Sequence, residues 1–159
     1  MEKITLKLGE VLQLESEING YTNPESGKVV YQGFSKQNLS ILLKYELTEL
    51  SEKLLKERKT VEGLKDELVL KYGSDDGKGG VIVKMFDEEV DAEGNVIGRK
   101  FNENYIKFDE EYSTLLNQDK EIEYPEITKE DLKEAGKSKD DYKVLFKLIK
   151  KEIQKEGAN

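Results

Sequence analysis

The sequence predicts an α+β protein built on an antiparallel pair of long helices connected through a β-hairpin. A small additional sheet from the N-terminal and 121–127 strands and a C-terminal helical segment complete it. Three observations carry this prediction. Leu43, Leu47, Leu50, Leu54, Val61, Leu64 and Leu68 recur at heptad spacing, broken only at Glu57, which is the seam of a helix that meets another helix. Phe101, Tyr105, Phe108, Tyr112 and Leu115 repeat four, three, four and three residues apart, so a second segment carries the same period. Between them, two strand-like runs in VIVKMFDEEVDAEGNVIGRKF flank an acidic turn at 91–95, the pattern of a hairpin.

Taken in chain order, ITLKL at 4–8 alternates as a short strand, and GEVLQLESEI reads as a helix that Gly20 stops. Asn23-Pro24 and Ser26-Gly27 are turn chemistry, and KVVYQ is a β-branched run suited to an edge strand. Ser35 is the expected N-cap of the leucine helix, 39–72, with Phe34 stapled onto Leu39. GSDDGKGG at 73–80 reads as a flexible break. After the aromatic helix, KEIEYPEI at 120–127 alternates, Pro125 confines it to an edge, and ITLKL is its expected mate. Thr128 with Asp131 opens a short helix that Gly136 ends, and Ser138 with Asp141 opens a last helix whose stripe is Tyr142, Leu145, Phe146, Ile149 and Ile153. The expected organisation is a 1–127 body with the helix-hairpin-helix core, and a 128–156 helical segment packed on that body or on a second subunit.

Composition narrows the chemistry. Of 159 residues, 36% are apolar and 38% charged, with a net charge of −8. Fifteen acids and only five bases lie between Asp87 and Asp131. Such a surface repels phosphate backbones, so no direct nucleic-acid binding is expected, and a basic protein partner fits the sign better. The chain has no Cys, His or Trp, which removes thiolate and histidine nucleophilic catalysis and the commonest zinc ligands. Neither a metal nor another cofactor is expected. MEKITLKLGEVLQLESEI has no uninterrupted apolar stretch of signal length and no segment approaches a bilayer span, so a cytoplasmic protein that does not engage membranes is expected.

Motifs that resemble known sites fail at diagnostic positions. DEEVDAEGNVIG has Ala92 where a calcium loop needs Gly and Gly98 where it needs a bidentate Glu. GSDDGKGG has the wrong spacing for a phosphate loop and lacks its hydroxyl. Carboxylates such as Glu88-Glu89 and Glu110-Glu111 fall on turns or outward helix faces, where solvent keeps them ionised, and no catalytic residue is expected. The residues left over are Tyr21, Asn23, Lys28 and Tyr31 in a long connection, and the adjacent bases Arg99 and Lys100 in the acidic half. They are the candidate binders of a small anionic ligand or an acidic peptide.

The order of a short strand and helix, a Lys/Glu-rich leucine helix, the DAEGNVIG hairpin, FNENYIKFDEEYSTLLNQ and the EIEYPEI strand resembles small bacteriophage-encoded proteins of unknown function, over residues 36–127. The resemblance implies a phage gene, acting in the host cytoplasm, with a host-interaction or assembly role. It transfers no functional residue. The expected function is therefore non-enzymatic binding, either by occupying a host protein surface or by sequestering a small immune-signalling nucleotide as a counter-defence factor. The alternative is a virion structural or assembly-associated protein. The apolar stripes at 39–72 and 142–153 add an expectation of homo-oligomerisation.

Overall fold

The computed structural model describes residues 1–149; Ile153, expected in the last stripe, lies outside them. The fold is mixed α+β, with one long helix and four two-stranded antiparallel sheets among the described residues. In chain order the elements are β1 (Glu2–Lys7), α1 (Leu8–Asn19), β2 (Gly20–Thr22), β3 (Val29–Gln32), a 3-10 turn at Phe34–Lys36, and α2 (Ile41–Tyr72). Then come β4 (Ser74–Asp75), β5 (Val81–Ile82), β6 (Phe86–Val90), β7 (Val96–Phe101), α3 (Glu103–Leu116), β8 (Asp119–Tyr124), α4 (Lys129–Glu134) and α5 (Leu145–Leu148). The chain forms two compact units, Met1–Arg58 with the chain from Asp119 onward, and Lys59–Gln118.

In the first unit β1 pairs with β8, from Glu2 opposite Tyr124 to Lys7 opposite Asp119. Alternation sets the faces: Leu6 and Ile122 are buried, while Lys3 bonds Glu121 at 2.8 Å and Lys7 bonds Asp119 at 2.6 Å outside. Exposed pairs of this kind are screened by solvent, so they favour the register more than they hold the fold. α1 follows directly, with Glu10 accepting from the Lys7 amide at 3.0 Å. It buries Leu8, Val11, Leu14 and Ile18 on one stripe.

Gly20 ends α1 at φ 81° and ψ −179°, a backbone region open in practice to glycine alone. Gly33 packs against this turn so closely that an added Cβ would lie 2.1 Å from the Ile18 carbonyl oxygen. This approach lets the next residue, Phe34, bury completely and meet the Tyr142 ring edge-on at 5.7 Å. Phe34 and Leu39 both precede the helix, which starts at Ile41, so they do not stand at the N′ and N4 positions of the expected staple. Ser35 is not the cap either: its hydroxyl donates to the Ile18 carbonyl at 2.8 Å. The cap of α2 is Ser40, whose Oγ accepts from the Leu43 amide at 3.2 Å, and the helix begins at Ile41 rather than 39.

Along α2, Leu43, Leu47, Leu50 and Leu54 are buried, so the heptad seam is core in the first unit. Glu57, which breaks the seam, bonds Lys120 of β8 at 2.6 Å. In α4, Thr128 and Asp131 form a reciprocal capping box, and Gly136 follows at φ 67°. The helix expected after Ser138 starts later among the described residues than the sequence predicts. The Ser138 and Asp141 side chains do accept from the Asp140 and Ser138 amides, but among the described residues of this stretch α5 spans Leu145–Leu148 alone. The Lys143, Val144 and Leu145 amides, which would lie inside a longer helix, donate instead to the Glu17 carboxylate. Ile149 is extended and bridges Ile127 in parallel. Tyr142, Val144, Leu145, Leu148 and Ile149 are all buried, so this stretch packs within its own chain, on α1 among others.

In the second unit the GSDDGKGG stretch is a hairpin and not the flexible break expected. β4 pairs with β5, and the two aspartates order the turn: Asp75 accepts from the Gly77 amide at 2.7 Å, and Asp76 from Lys78 at 2.7 Å and Gly80 at 3.0 Å. Side-chain acceptance of turn amides is the ordinary use of Asp in such positions. β6 pairs with β7, and Asp91 closes that turn by accepting from the Glu93 and Asn95 amides at 2.9 Å each. Those bonds hold the Asp91 carboxyl below its usual range, the Asn95 amide foremost. Asn102 caps α3, accepting from Asn104 at 2.9 Å and Tyr105 at 3.3 Å, and donates to Asp87 of β6 at 3.0 Å.

Candidate functional site

The second unit has almost no interior. Among its apolar residues only Val61 is buried, whereas Leu70, Val90, Val96, Ile97 and Phe101 are each more than half exposed. A pair of hairpins and one-sided helices with so little buried apolar area is marginal by itself. What organises it is a file of rings. Phe86 stacks on Phe101 at 4.9 Å, and Phe101, Tyr105, Phe108 and Tyr112 follow at 6.1, 6.4 and 5.8 Å between centroids. Offset contacts at these separations add about 0.5–1.5 kcal/mol each beyond burial. The aromatic stripe therefore is not the buried seam that its spacing predicts, since no residue of α3 is buried.

Beside the ring file lies a groove of about 730 Å³ lined by the second half of α2 and by α3. Leu64, Leu68 and Leu115 give it an apolar floor, and Glu67, Lys71, Glu110 and Glu111 stand around it. Lys71 bonds Glu111 at 3.0 and 3.2 Å. That bond holds the Glu111 carboxyl below its usual range, with Tyr72 contributing, and lifts the Lys71 amine above its own. Lys65 lies 5.4 Å over the Tyr112 ring.

The six residues singled out by sequence fall into both units. Tyr21 and Tyr31 are brought directly opposite in the β2–β3 pair. Asn23 builds the turn between them, accepting from the Glu25 and Ser26 amides at 2.9 and 3.2 Å. Lys28 contributes its backbone to that turn, its carbonyl accepting from the Asn23 amide at 2.9 Å. Burial pushes the Tyr31 phenol above its ordinary value; a bond with Ser16 opposes this, and the Glu17 and Glu15 carboxylates reinforce it. Arg99 and Lys100 belong to the second unit and stand across from Glu88 and Asp87. Opposed acids leave little field there for an anion.

Sequence reasoning missed a polar cluster in the first unit. Glu15 and Glu17 are buried on α1. Arg58 ion-pairs with Glu15 through Nε and donates to the Leu12 carbonyl at 2.8 Å and the Ser16 hydroxyl at 2.7 Å. Asn19 donates to Glu15 at 2.7 Å and accepts from Ser51 at 2.7 Å. Glu15 lies four residues after Val11 and three before Ile18, so it falls on the buried stripe, and that position was the available signal. Each member is satisfied by another, which is the arrangement of a structural network.

Tyr142 is the exception: its hydroxyl is buried without a partner among the described residues. Burial first, then the Asp141, Glu17 and Tyr31 charges, raise its phenol from 10.0 to about 12. Tyr142→Phe is expected to raise stability by about 1 kcal/mol near neutral pH, because the orphaned hydroxyl is removed. Between pH 10 and about 12 the folded chain keeps a proton that the unfolded chain releases, so stability falls as pH rises through that window. The Phe variant loses this slope; urea midpoints that match wild type at neutral and alkaline pH would contradict the assignment.

Among the described residues no group of three acidic, His or Cys side chains is placed to hold a metal ion, and no helix is long and apolar enough to cross a membrane. No family model matches the chain, and neither a curated protein nor a solved structure matches it.

Proposed function

We propose that this chain is a non-enzymatic binding protein, of phage origin as its resemblance implies, that acts by occupying a partner protein's surface through residues 59–118. In this reading the second half of α2 and α3 work as an antiparallel pair joined through the β6–β7 hairpin. The observation that carries it is the contrast inside that unit: one buried apolar residue, many exposed ones, and fourteen acids against eight bases. Exposed apolar area framed by charge of one sign is how a protein-docking surface is built. A protein partner fits better than a small nucleotide, because the candidate anion-binding residues are split between the units.

The test is affinity capture from host lysate with the wild-type chain and with Val90→Ser/Val96→Ser, an exposed cross-strand pair outside the ring file. The paired change is expected to lose whatever the wild type retains, with about a tenfold drop or more for two apolar anchors. Equal capture by both, or recovery of the protein from purified particles, would favour the virion-assembly role instead. Self-association has its own supporting feature, the patch formed by Ile41, Leu42 and Tyr45, which are 84%, 65% and 62% exposed. A dimer in sedimentation that Ile41→Lys dissociates is the expected result, and a strict monomer at micromolar concentration removes this second reading.

A further inference from the structure

We infer that the groove between the second half of α2 and α3 is the seat of an amphipathic helix that lays an apolar, leucine-sized face on Leu64, Leu68 and Leu115 and carries Lys or Arg along its flanks. The inference rests on the reading that residues 59–118 contact a partner, and it names the chemistry of that partner. Leu64 and Leu68 are one helical turn apart on α2, Leu115 faces them from α3, and Leu64 remains 39% exposed. Two helices flanking an apolar trough accept a third helix by its i, i+3/i+4, i+7 side chains. A small apolar ligand is a poorer match, because such ligands are enclosed over most of their surface and this trough lies open.

The rim decides the charge of the occupant. Lys71 is committed to Glu111, while neither Glu67 nor Glu110 has a side-chain partner among the described residues. The charged rim is thus net negative, with that excess on the α3 wall. A second copy docking by the same helices, α2 from residue 59 and α3, would bring seven acids against four bases, a net negative face, to this net negative rim. A flanking row of Lys or Arg converts that repulsion into attraction and speeds encounter.

The test uses the full chain and two labelled peptides, one repeating Leu-Lys-Lys-Leu-Leu-Lys-Leu and one with Glu at every Lys. Fluorescence anisotropy at physiological salt is expected to show saturable binding of the basic peptide and at least about tenfold weaker binding of the acidic one. Leu68→Ser is expected to weaken the basic peptide roughly tenfold, as loss of one buried leucine contact. Thr114 lines the groove and is exposed, so Thr114→Arg fills the trough without touching a buried side chain and is expected to block the peptide to a similar degree. Glu93→Gln, in the hairpin turn, serves as the charge control and should change nothing beyond about twofold. The inference is overturned if the peptide fails to bind, if binding ignores both groove changes and tracks salt alone, or if the chain dimerises through this groove. Should Val90→Ser/Val96→Ser abolish capture of a lysate partner while Thr114→Arg leaves it intact, the groove assignment falls and the binding role of the 59–118 unit stands.

Discussion

Replacing Arg58 with Ala is expected to cost about 3–5 kcal/mol. Its partner Glu15 is 7% exposed, so the change leaves a carboxylate in the interior with only the Asn19 amide bonded to it. The Leu12 carbonyl and the Ser16 hydroxyl lose their Arg58 donor at the same moment. The energy lies in the uncompensated charge and not in the pair itself, and a second variant separates the two. Arg58→Met combined with Glu15→Met removes both charges and keeps most of the packed volume, so it should recover to within about 1 kcal/mol of wild type. Urea denaturation with an unchanged slope is the measurement. A single Arg58→Ala change costing under about 1 kcal/mol would show that the cluster is solvated and does not hold α1 to α2.

Capping, helix-stop and strand-alternation signals in this sequence translated into structure, whereas signals that depend on what covers a face did not. Gly20 as a helix stop and the Thr128–Asp131 box each depend on a few neighbouring residues, and each is seen; the two alternating segments also pair as expected, β1 with β8, across more than a hundred residues. Ser35 and Ser40 are equally good caps by residue type. Only the burial of Phe34 beside Gly33 decides between them, and that depends on α1, which lies fifteen or more residues away. The heptad shows the same limit from the other side. Leu43 and Leu64 occupy equivalent positions, yet Leu43 is 5% exposed and Leu64 39%. Periodicity specifies a face, and whether the chain supplies a cover for that face is a separate matter. The same holds for the candidate site: the rings at 101–112 announce a shared helix face, but that they stack on each other beside an uncovered groove follows from the packing of a unit with little interior. Glu17 carried no signal at all, because its partners are backbone amides, which every sequence has.

Glu17 is where the second large effect is expected. Its two carboxylate oxygens accept from the amides of Lys143 at 3.0 Å, Val144 at 3.1 and 3.2 Å and Leu145 at 2.7 Å, and Gln13 donates to the same group at 3.0 Å. Glu17→Ala orphans three amides next to the buried Val144 and Leu145 side chains, at about 1–3 kcal/mol for each that stays dry. The chain escapes part of that cost by releasing 142–149 to solvent, so the loss should saturate near about 3–5 kcal/mol and appear locally. Amide hydrogen exchange is the discriminating measurement: protection is expected to collapse at 143–149 while Leu43–Leu54 of α2 retain theirs. Glu17→Gln keeps one acceptor oxygen and should cost only about 1–2 kcal/mol, as a charge-assisted bond becomes a neutral one. The ion pair of Glu10 with Lys147 secures the same stretch from outside and holds the Glu10 carboxyl below its ordinary 4.5, chiefly through the Lys147 bond. A carboxyl lowered on folding contributes stability that is complete above pH 4.5 and disappears as pH falls through the folded value. Acid should therefore loosen 142–149 before it unfolds the α1–α2 core, and exchange that accelerates uniformly across the first unit would show that this stretch and the core unfold together.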